Sequence, residues 1–398
     1  MTSPSQPHPL RRTAVLAWML VVLGGFATRI PILVLSYGSD DIFSWNYFAL
    51  EIRQHGVSWM YFNVPLFNHP PLMAELARVA LWVSEQTGVR FAVCFKAPVV
   101  ASEILSLYVL WDVWRRRRGP GAGALAAAAF AWNLDSILVS AYHGNTDCLF
   151  AALCLLSAYF VEERQRHLAG GLALGAAINV KLIPVFLILP FLARYRRWSE
   201  AARFTAGMAL GALPFVPILI VAGKGFYRNV LAYKSFVDQW GIPLFLLQSQ
   251  SSPRLRGIAQ EWTAAYSVFG RYLTLLLPLA VAILAARSNR FDRYQLGALT
   301  LALFLIVAPG FGIQYTVAVV PLLFAVEVAA ASVYSLVAGL FAAIVYFCFW
   351  DGKWPAASRF ASQLPMAGAL FGLIAWWVLC AFVVKMLFPP RRRSPTTA

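Results

Sequence analysis

The stretch Met366–Leu387 carries a single charge, Lys385, and 273–286 carries none. An apolar run of about 18 residues or more reads as a helix that crosses a bilayer, since a soluble helix needs a polar face for water. A third such run, Val15–Val34, lies near the N-terminus behind Arg11-Arg12. It has no small-residue cleavage pattern and reads as a retained first span. The composition agrees: 60% of the 398 residues are hydrophobic and 13% charged, with a mean hydropathy of +0.66. A soluble domain has about 45–50% apolar and about 25% charged residues. The expected fold class is therefore an all-α polytopic membrane protein, residues 1–388 forming one transmembrane domain.

The net charge of +16 does not point to nucleic acid, because the basic residues form no patch interleaved with aromatics. They sit in short clusters between apolar runs: 11–12, 115–118, 164–166, 194–197, 287–293 and 391–393. Placed in the cytoplasm by the positive-inside rule, these clusters require an even number of crossings between them. That parity decides the stretch 71–86, which carries Glu75, Arg78 and Glu85. It is expected to lie on the membrane surface, as is the Trp- and Tyr-bearing stretch 42–54. The count then reaches about 12 transmembrane helices, with outer loops at 38–90 and 223–265. Both termini are cytoplasmic, and 389–398 is a Pro- and Arg-rich disordered tail. The five cysteines at 94, 148, 154, 348 and 380 include no CxxC pair and read as small buried hydrophobes.

On this topology the outer face collects polar residues that are costly at membrane depth and so are functional candidates. Asp40 and Asp41 follow the first span; they either end it in a solvated loop or supply a general base for a hydroxyl. His69, within Asn68–Leu72, is a ligand, a phosphate partner or a plain surface residue. Asn145 and Asp147 either cap a helix or bind sugar or acceptor. Lys181 lies in an apolar setting; it either snorkels or meets a lipid-borne phosphate, with Arg228 and Lys234 assisting. Gln314 and Tyr315 follow the break at Pro309-Gly310 and make either a turn with a belt aromatic or part of the same cavity.

Together these residues resemble the GT-C superfamily of membrane glycosyltransferases, in its polyprenyl-phosphate-mannose-using branch. The resemblance runs in order through Asp41 to Ala49, Asn68-His69-Pro70-Pro71-Leu72, Gly144-Asn145-Thr146-Asp147, Asn179 to Pro184, Gln239-Trp240-Gly241-Ile242, and Gln314-Tyr315 with Pro321-Leu322. Each motif is short; their order is the specific part. The resemblance implies surface helices in the first outer loop, a polyprenyl-phosphate sugar donor and an acceptor reached from the outer face. Asp41 fits the position of the family's base best, and Asp40 second. Lys181, with Arg228, Lys234 and His69, is expected around the donor phosphate, although His69 stands where family members vary. Asn145, Asp147, Trp240, Gln314 and Tyr315 would lie around sugar or acceptor. Transfer would be inverting, with no metal or other cofactor. Mannose is the expected sugar, and a glycolipid, polysaccharide or protein the acceptor. The location expected is a bacterial inner membrane. A transporter or flippase of a lipid-linked or small polar substrate is the alternative, although the chain shows no internal repeat.

Overall fold

The computed structural model describes residues 9–233, 240–249, 254, 256–350 and 366–389. Among them every regular element is helical. Five helices are long and apolar enough to cross a membrane, or seven when each of two bent pairs is one span. Four further apolar helices are shorter: His167–Val180, Ile183–Leu192, Arg293–Val307 and Ile313–Val326.

Two polar ends can be recognised from contacts alone. At one, the arginine clusters converge. Asp112, almost fully buried, accepts from Arg115, Arg116 and Arg164. Arg117 pairs with Glu163 at 3.1 Å and Asp292 at 3.0 Å, and Arg293 pairs with Glu162 at 2.8 Å. Arg293 also lies 4.2 Å from the Tyr195 ring centroid, and Arg194 reaches Asn289 at 3.3 Å. Clusters far apart in sequence thus share one end of the bundle. Arg391–Arg393 lies outside the described residues.

The opposite end is fixed by the same helices. Phe91–Arg118 carries Lys96 near its start and the arginines in its last turn. Asp147–Glu162 runs from Asp147 to the residue that pairs with Arg293. His167–Val180 ends at Lys181. The loop region 38–90 stays at that second end. Its helix Pro71–Thr87 starts where Pro70 lines a cavity with Lys181, and finishes just before Phe91. A helix with both ends on one side does not cross, and Pro71–Thr87 is absent from the helices apolar enough to do so. Helix Asp40–His55 starts with Asp41 in the same cavity, and near its finish Arg53 pairs with Glu85 of Pro71–Thr87.

Some expected spans are broken or extended. The span near 120–141 is two helices, Pro120–Ala131 and Leu134–His143, bent by 46°. Asn133 makes the break: its Oδ1 accepts from the Ser136 N–H at 3.2 Å and starts the second piece. The span near 202–222 bends by 62° between Gly211 and Phe215, where Pro214 lacks the donor a continuous helix needs. The segment 223–265, expected as an outer loop, is largely helical where it is described. Helix continues through a π-turn to Leu231, Gly241–Ser249 is a separate helix, and Arg256–Arg287 begins well before 267. Arg256, Gln260 and Glu261 hide that start from hydropathy, but they are good helix formers.

Small residues bring the short helices together. Helix His167–Val180 packs on Trp198–Gly211 through Gly171, Gly175, Gly207 and Gly211, and a Cβ at Gly171 would stand 1.9 Å from the Phe204 carbonyl oxygen. Such close backbone approach is the usual glue between helices in lipid, where apolar burial gives no drive. Gly171→Leu is expected to destabilise by about 3 kcal/mol or more, as overpacking of a tight contact does. A melting curve in detergent checks this, with Gly121→Ala, whose Cβ would meet nothing within 4 Å, melting like the parent.

Candidate active site

The polar end opposite the arginines holds a cavity of about 310 Å³ whose lining includes Asp41, His69, Asn145, Lys181, Gln314 and Tyr315. These come from five separate stretches of chain. What brings Asp41 there is helix periodicity. Asp41 shares a stripe with Trp45, Phe48 and Ile52, all buried, at i+4, i+7 and i+11. Asp40, one residue earlier, is turned about 100° away and is exposed. Ser39 starts the helix, its Oγ accepting from the Asp41 N–H at 3.3 Å and donating to the His143 carbonyl at 3.2 Å.

Asp41 is held by two partners on one oxygen. His143 Nε2 lies 2.8 Å from Oδ2, and Asn145 Nδ2 donates to the same atom at 3.0 Å. Oδ1 has no hydrogen-bond partner among the described residues. Burial alone would raise the Asp41 pKa. The charge and hydrogen bond of His143, the Asn145 amide and the field of His69 outweigh it and hold the carboxyl well below its usual range. The side chain is 45% exposed and lines the cavity. Asn145 also caps the next helix, its Oδ1 accepting from the Asp147 N–H at 3.0 Å. Capping and site contact are therefore not alternatives here; one amide does both.

The turn that carries these groups is tight. Gly144 has φ +76°, and a Cβ there would meet Ile42 at 2.6 Å and Lys96 at 2.7 Å. Lys96, fully buried, donates through Nζ to the Ser36 carbonyl at 2.9 Å and the Ala141 carbonyl at 3.0 Å. It ties the strand of chain before Asp41 to the turn before Asn145.

Across the cavity, Lys181 forms an ion pair with the buried Asp147. Its Nζ stands 4.3 Å from the Tyr315 ring centroid and 6.0 Å from that of Phe150. Asp147 therefore lies behind the lysine and does not line the cavity. Asn179, two residues before Lys181, accepts at Oδ1 from the Leu72 N–H at 3.0 Å. That bond satisfies a helix-start donor of Pro71–Thr87 and explains why the Pro70-Pro71-Leu72 and Asn179-to-Pro184 stretches belong together. His69 packs on Trp45 with centroids 4.3 Å apart. Burial first, then the charge of Lys181, pulls its pKa down to about 3, with Asp41 opposing in part. It offers a phosphate a ring N–H but no positive charge.

Besides Asp40 and Asp147, two further expected site residues do not line the cavity. Arg228 donates to the Tyr61 carbonyl at 3.3 Å and the Phe62 carbonyl at 3.0 Å, and is occupied in holding that loop. Trp240 is buried, donates to the Leu305 carbonyl at 2.8 Å and stacks on Phe311 at 4.6 Å; it is core. Lys234 lies outside the described residues. Sequence reasoning gives no role to His143, Tyr346, Lys96 or Tyr233. His143 sits two residues before Asn145, a visible signal; nothing in the sequence marks Tyr346. Among the described residues no three His, Cys, Asp or Glu side chains group in a way that would hold a metal ion.

A model described as glycosyltransferase family 87 matches residues 67–309. Among solved structures, ArnT from Cupriavidus metallidurans in the apo state is similar with a TM-score of 0.47 and 16% identity. The match covers 94% of this chain and 71% of that one. ArnT from the same organism bound to undecaprenyl phosphate is similar with a TM-score of 0.46 and 17% identity, over the same shares.

Removing one member of a buried ion pair leaves an uncompensated charge and costs about 3 kcal/mol or more. Asp147→Ala is therefore expected to lower the melting temperature further than the double variant Asp147→Ala with Lys181→Met, in which no charge is stranded. Differential scanning fluorimetry of the two in one detergent measures the difference; equal melting would show that the pair is not what holds Asp147.

Proposed function

The chain belongs to glycosyltransferase family 87, and on that premise we propose that it moves mannose from a polyprenyl-phosphate donor to an acceptor hydroxyl with inversion. The observation that carries this reading is the cavity itself. It sets an ionised carboxylate, Asp41, and an ammonium, Lys181, into one space between membrane helices. Asp41 takes the proton of the acceptor hydroxyl. The oxygen attacks the anomeric carbon, and the bond from that carbon to the phosphate oxygen breaks. The leaving polyprenyl phosphate gains negative charge, which Lys181 meets. Charge stabilisation of this kind is the largest contribution in most such transfers. His69, Asn68 and Gln314 supply neutral donors and acceptors, and Tyr315 an aromatic face, to the sugar.

A second cavity of about 340 Å³ shares Ile183, Tyr233 and Tyr315 with the first. Leu231, Leu275, Phe304 and Ala308 make it largely apolar, and Arg271, Ser267 and Thr274 are among its polar members. That joined pair, one polar and one apolar, supports a substrate with a charged head and a hydrocarbon tail. We place the Lys181 end outside the cytoplasm, since the arginine clusters share the other end. With each bent pair counted once, the four shorter apolar helices and Asp147–Glu162 bring the crossings to twelve, and both termini fall on the arginine side. The cation at the leaving group is then Lys181, and no metal or other cofactor is required.

The test is transfer by the purified chain in lipid from a panel of radiolabelled polyprenyl-phosphate sugars to membrane acceptors. Asp41→Asn is expected to lower turnover by about 10²–10⁴-fold, the usual worth of a general base, while Asp40→Asn stays close to the parent. Lys181→Met is expected to lose about 10²-fold or more. Full turnover after chelator treatment is expected. Turnover retained in Asp41→Asn would overturn the base assignment; movement of a lipid-linked sugar across the vesicle without transfer would replace the reading with transport.

A further inference from the structure

We infer that His143 and Tyr346 are a positioning pair that fixes Asp41 by its Oδ2 and leaves Oδ1 as the atom that takes the acceptor's proton. The inference rests on the reading of Asp41 as the base. Its geometry is a chain of short contacts: Asp41 Oδ2 to His143 Nε2 at 2.8 Å, then His143 Nδ1 to the Tyr346 hydroxyl at 2.7 Å. His143 and Tyr346 are each 1% exposed, so neither reaches substrate. Their rings meet edge to face at 5.2 Å and 88°.

The placement is built, not incidental. His143 ends the π-helical turn Leu138–His143, and Tyr346 lies in the π-helical turn Val345–Trp350. A π-turn shifts the side chains beyond it around the helix axis and recurs at functional sites. The His143 backbone is pinned from outside its own helix, its carbonyl accepting from Ser39 Oγ at 3.2 Å. The next two N–H groups, of Gly144 and Asn145, both donate to the Val139 carbonyl at 3.1 Å. Asn145 donates to the same Oδ2 as His143. Two donors on one oxygen leave the carboxylate no freedom to turn about its bond to the chain. A phenol on Nδ1 favours the imidazole with its proton on Nε2, aimed at the carboxylate.

The pair also bears on ionisation. The groups facing Asp41 are His143 and Asn145 from the turn, His69 from the loop before Pro71–Thr87, and Lys181 from across the cavity, with Asp147 behind it. Tyr346 stands behind His143, and the amine of Lys96 lies below, bonded to backbone carbonyls. Of these, His143 and Asn145 make the direct hydrogen bonds that stabilise the charged carboxylate. With the His143 donor gone, the Asp41 pKa rises toward its ordinary value. The ionised fraction is then lost at a higher pH as the pH falls. A raised pKa would make Asp41 a stronger base, but a misplaced base costs more, about 10²-fold for displacement on the order of 1 Å.

The experiment uses the full chain purified in lipid, with a donor and acceptor that the parent turns over, and compares the pH profile of kcat/KM in Tyr346→Phe, His143→Leu, His143→Gln and Asp41→Asn. His143→Leu is expected to lower kcat by about ten- to a hundredfold with donor KM little changed, and to move the acid limb to higher pH. Tyr346→Phe should do the same to a smaller extent. His143→Gln, which keeps an N–H donor, should recover part of kcat. A merely structural histidine would alter yield and melting temperature without moving the acid limb. Because Tyr346→Phe deletes only a hydroxyl, its profile decides should His143→Leu not fold. Parent-like kcat and acid limb in Tyr346→Phe and His143→Leu, beside an inactive Asp41→Asn, overturn the inference alone. An active Asp41→Asn overturns the base reading and this inference with it.

Discussion

Lys181 and Asp147 face each other where three elements end. Asp147 begins one helix, Lys181 terminates another, and Tyr315 brings in a 3₁₀ turn whose ring lies 4.3 Å from the ammonium. An ammonium away from bulk water is expensive without a partner, so the pairing dictates which helix ends meet. Once they meet, Asn179 is carried to the start of Pro71–Thr87 and Asn145 to the carboxylate of Asp41. The cavity is what remains between a lysine that must keep its aspartate and an aspartate that is held by a histidine and an amide.

The same logic operates beneath it. Arg29 is fully buried and pairs with Glu103, while its Nη1 donates to the carbonyls of Gly25 at 2.7 Å and Ala131 at 2.6 Å. Glu103 in turn accepts from Ser136, and from Ser140 at 3.0 Å. Gly25 permits that approach, since a Cβ there would stand 2.8 Å from Ala131. These bonds join the first helix, Phe91–Arg118 and the broken pair at Asn133. Carbonyls freed by the break thus find donors inside protein, as irregular backbone at membrane depth must. Lys96 repeats the device one level up. Rigidity at the turn that carries His143 and Asn145 is therefore inherited from charges that never touch the cavity.

Much of this could be read from residue order. The arginine clusters converge at one end because they are short, basic and separated by apolar runs of the right parity. In the sequence Asp41 stands ahead of Asp40 only by its likeness to the family position, in its spacing to Trp45 and Ala49; the buried stripe with Trp45, Phe48 and Ile52 is visible in the fold. Lys181 announced itself by its apolar surroundings. Where the reading failed, the sequence cue had two physical meanings. Trp240 belongs equally to an aromatic stacking on a sugar and to one buried on Phe311, and only packing separates them. Arg228 is a cation in sequence but a carbonyl partner in space. Tyr346 gives no cue at all, because the contact with His143 spans 203 residues and depends on two π-turns. The start of Arg256–Arg287 was hidden because hydropathy measures fitness for lipid and not helicity.

The helices that end at Lys181 and Asp147 have 14 and 16 residues, about 21 and 24 Å of rise, against a hydrocarbon core of about 30 Å. Leu168, Leu172, Val185 and Leu189 of the first of these helices and its continuation are exposed, so their lipid neighbours must match that shorter length. Hydrophobic mismatch of this kind is relieved by thinning of the surrounding bilayer. The membrane would dip beside the cavity mouth, bringing headgroups down to the lysine. On the proposed reading, a long-chain phosphate would then arrive at the ammonium with its hydrocarbon still in the acyl layer, and the desolvation of its head would be shared with the deformed leaflet.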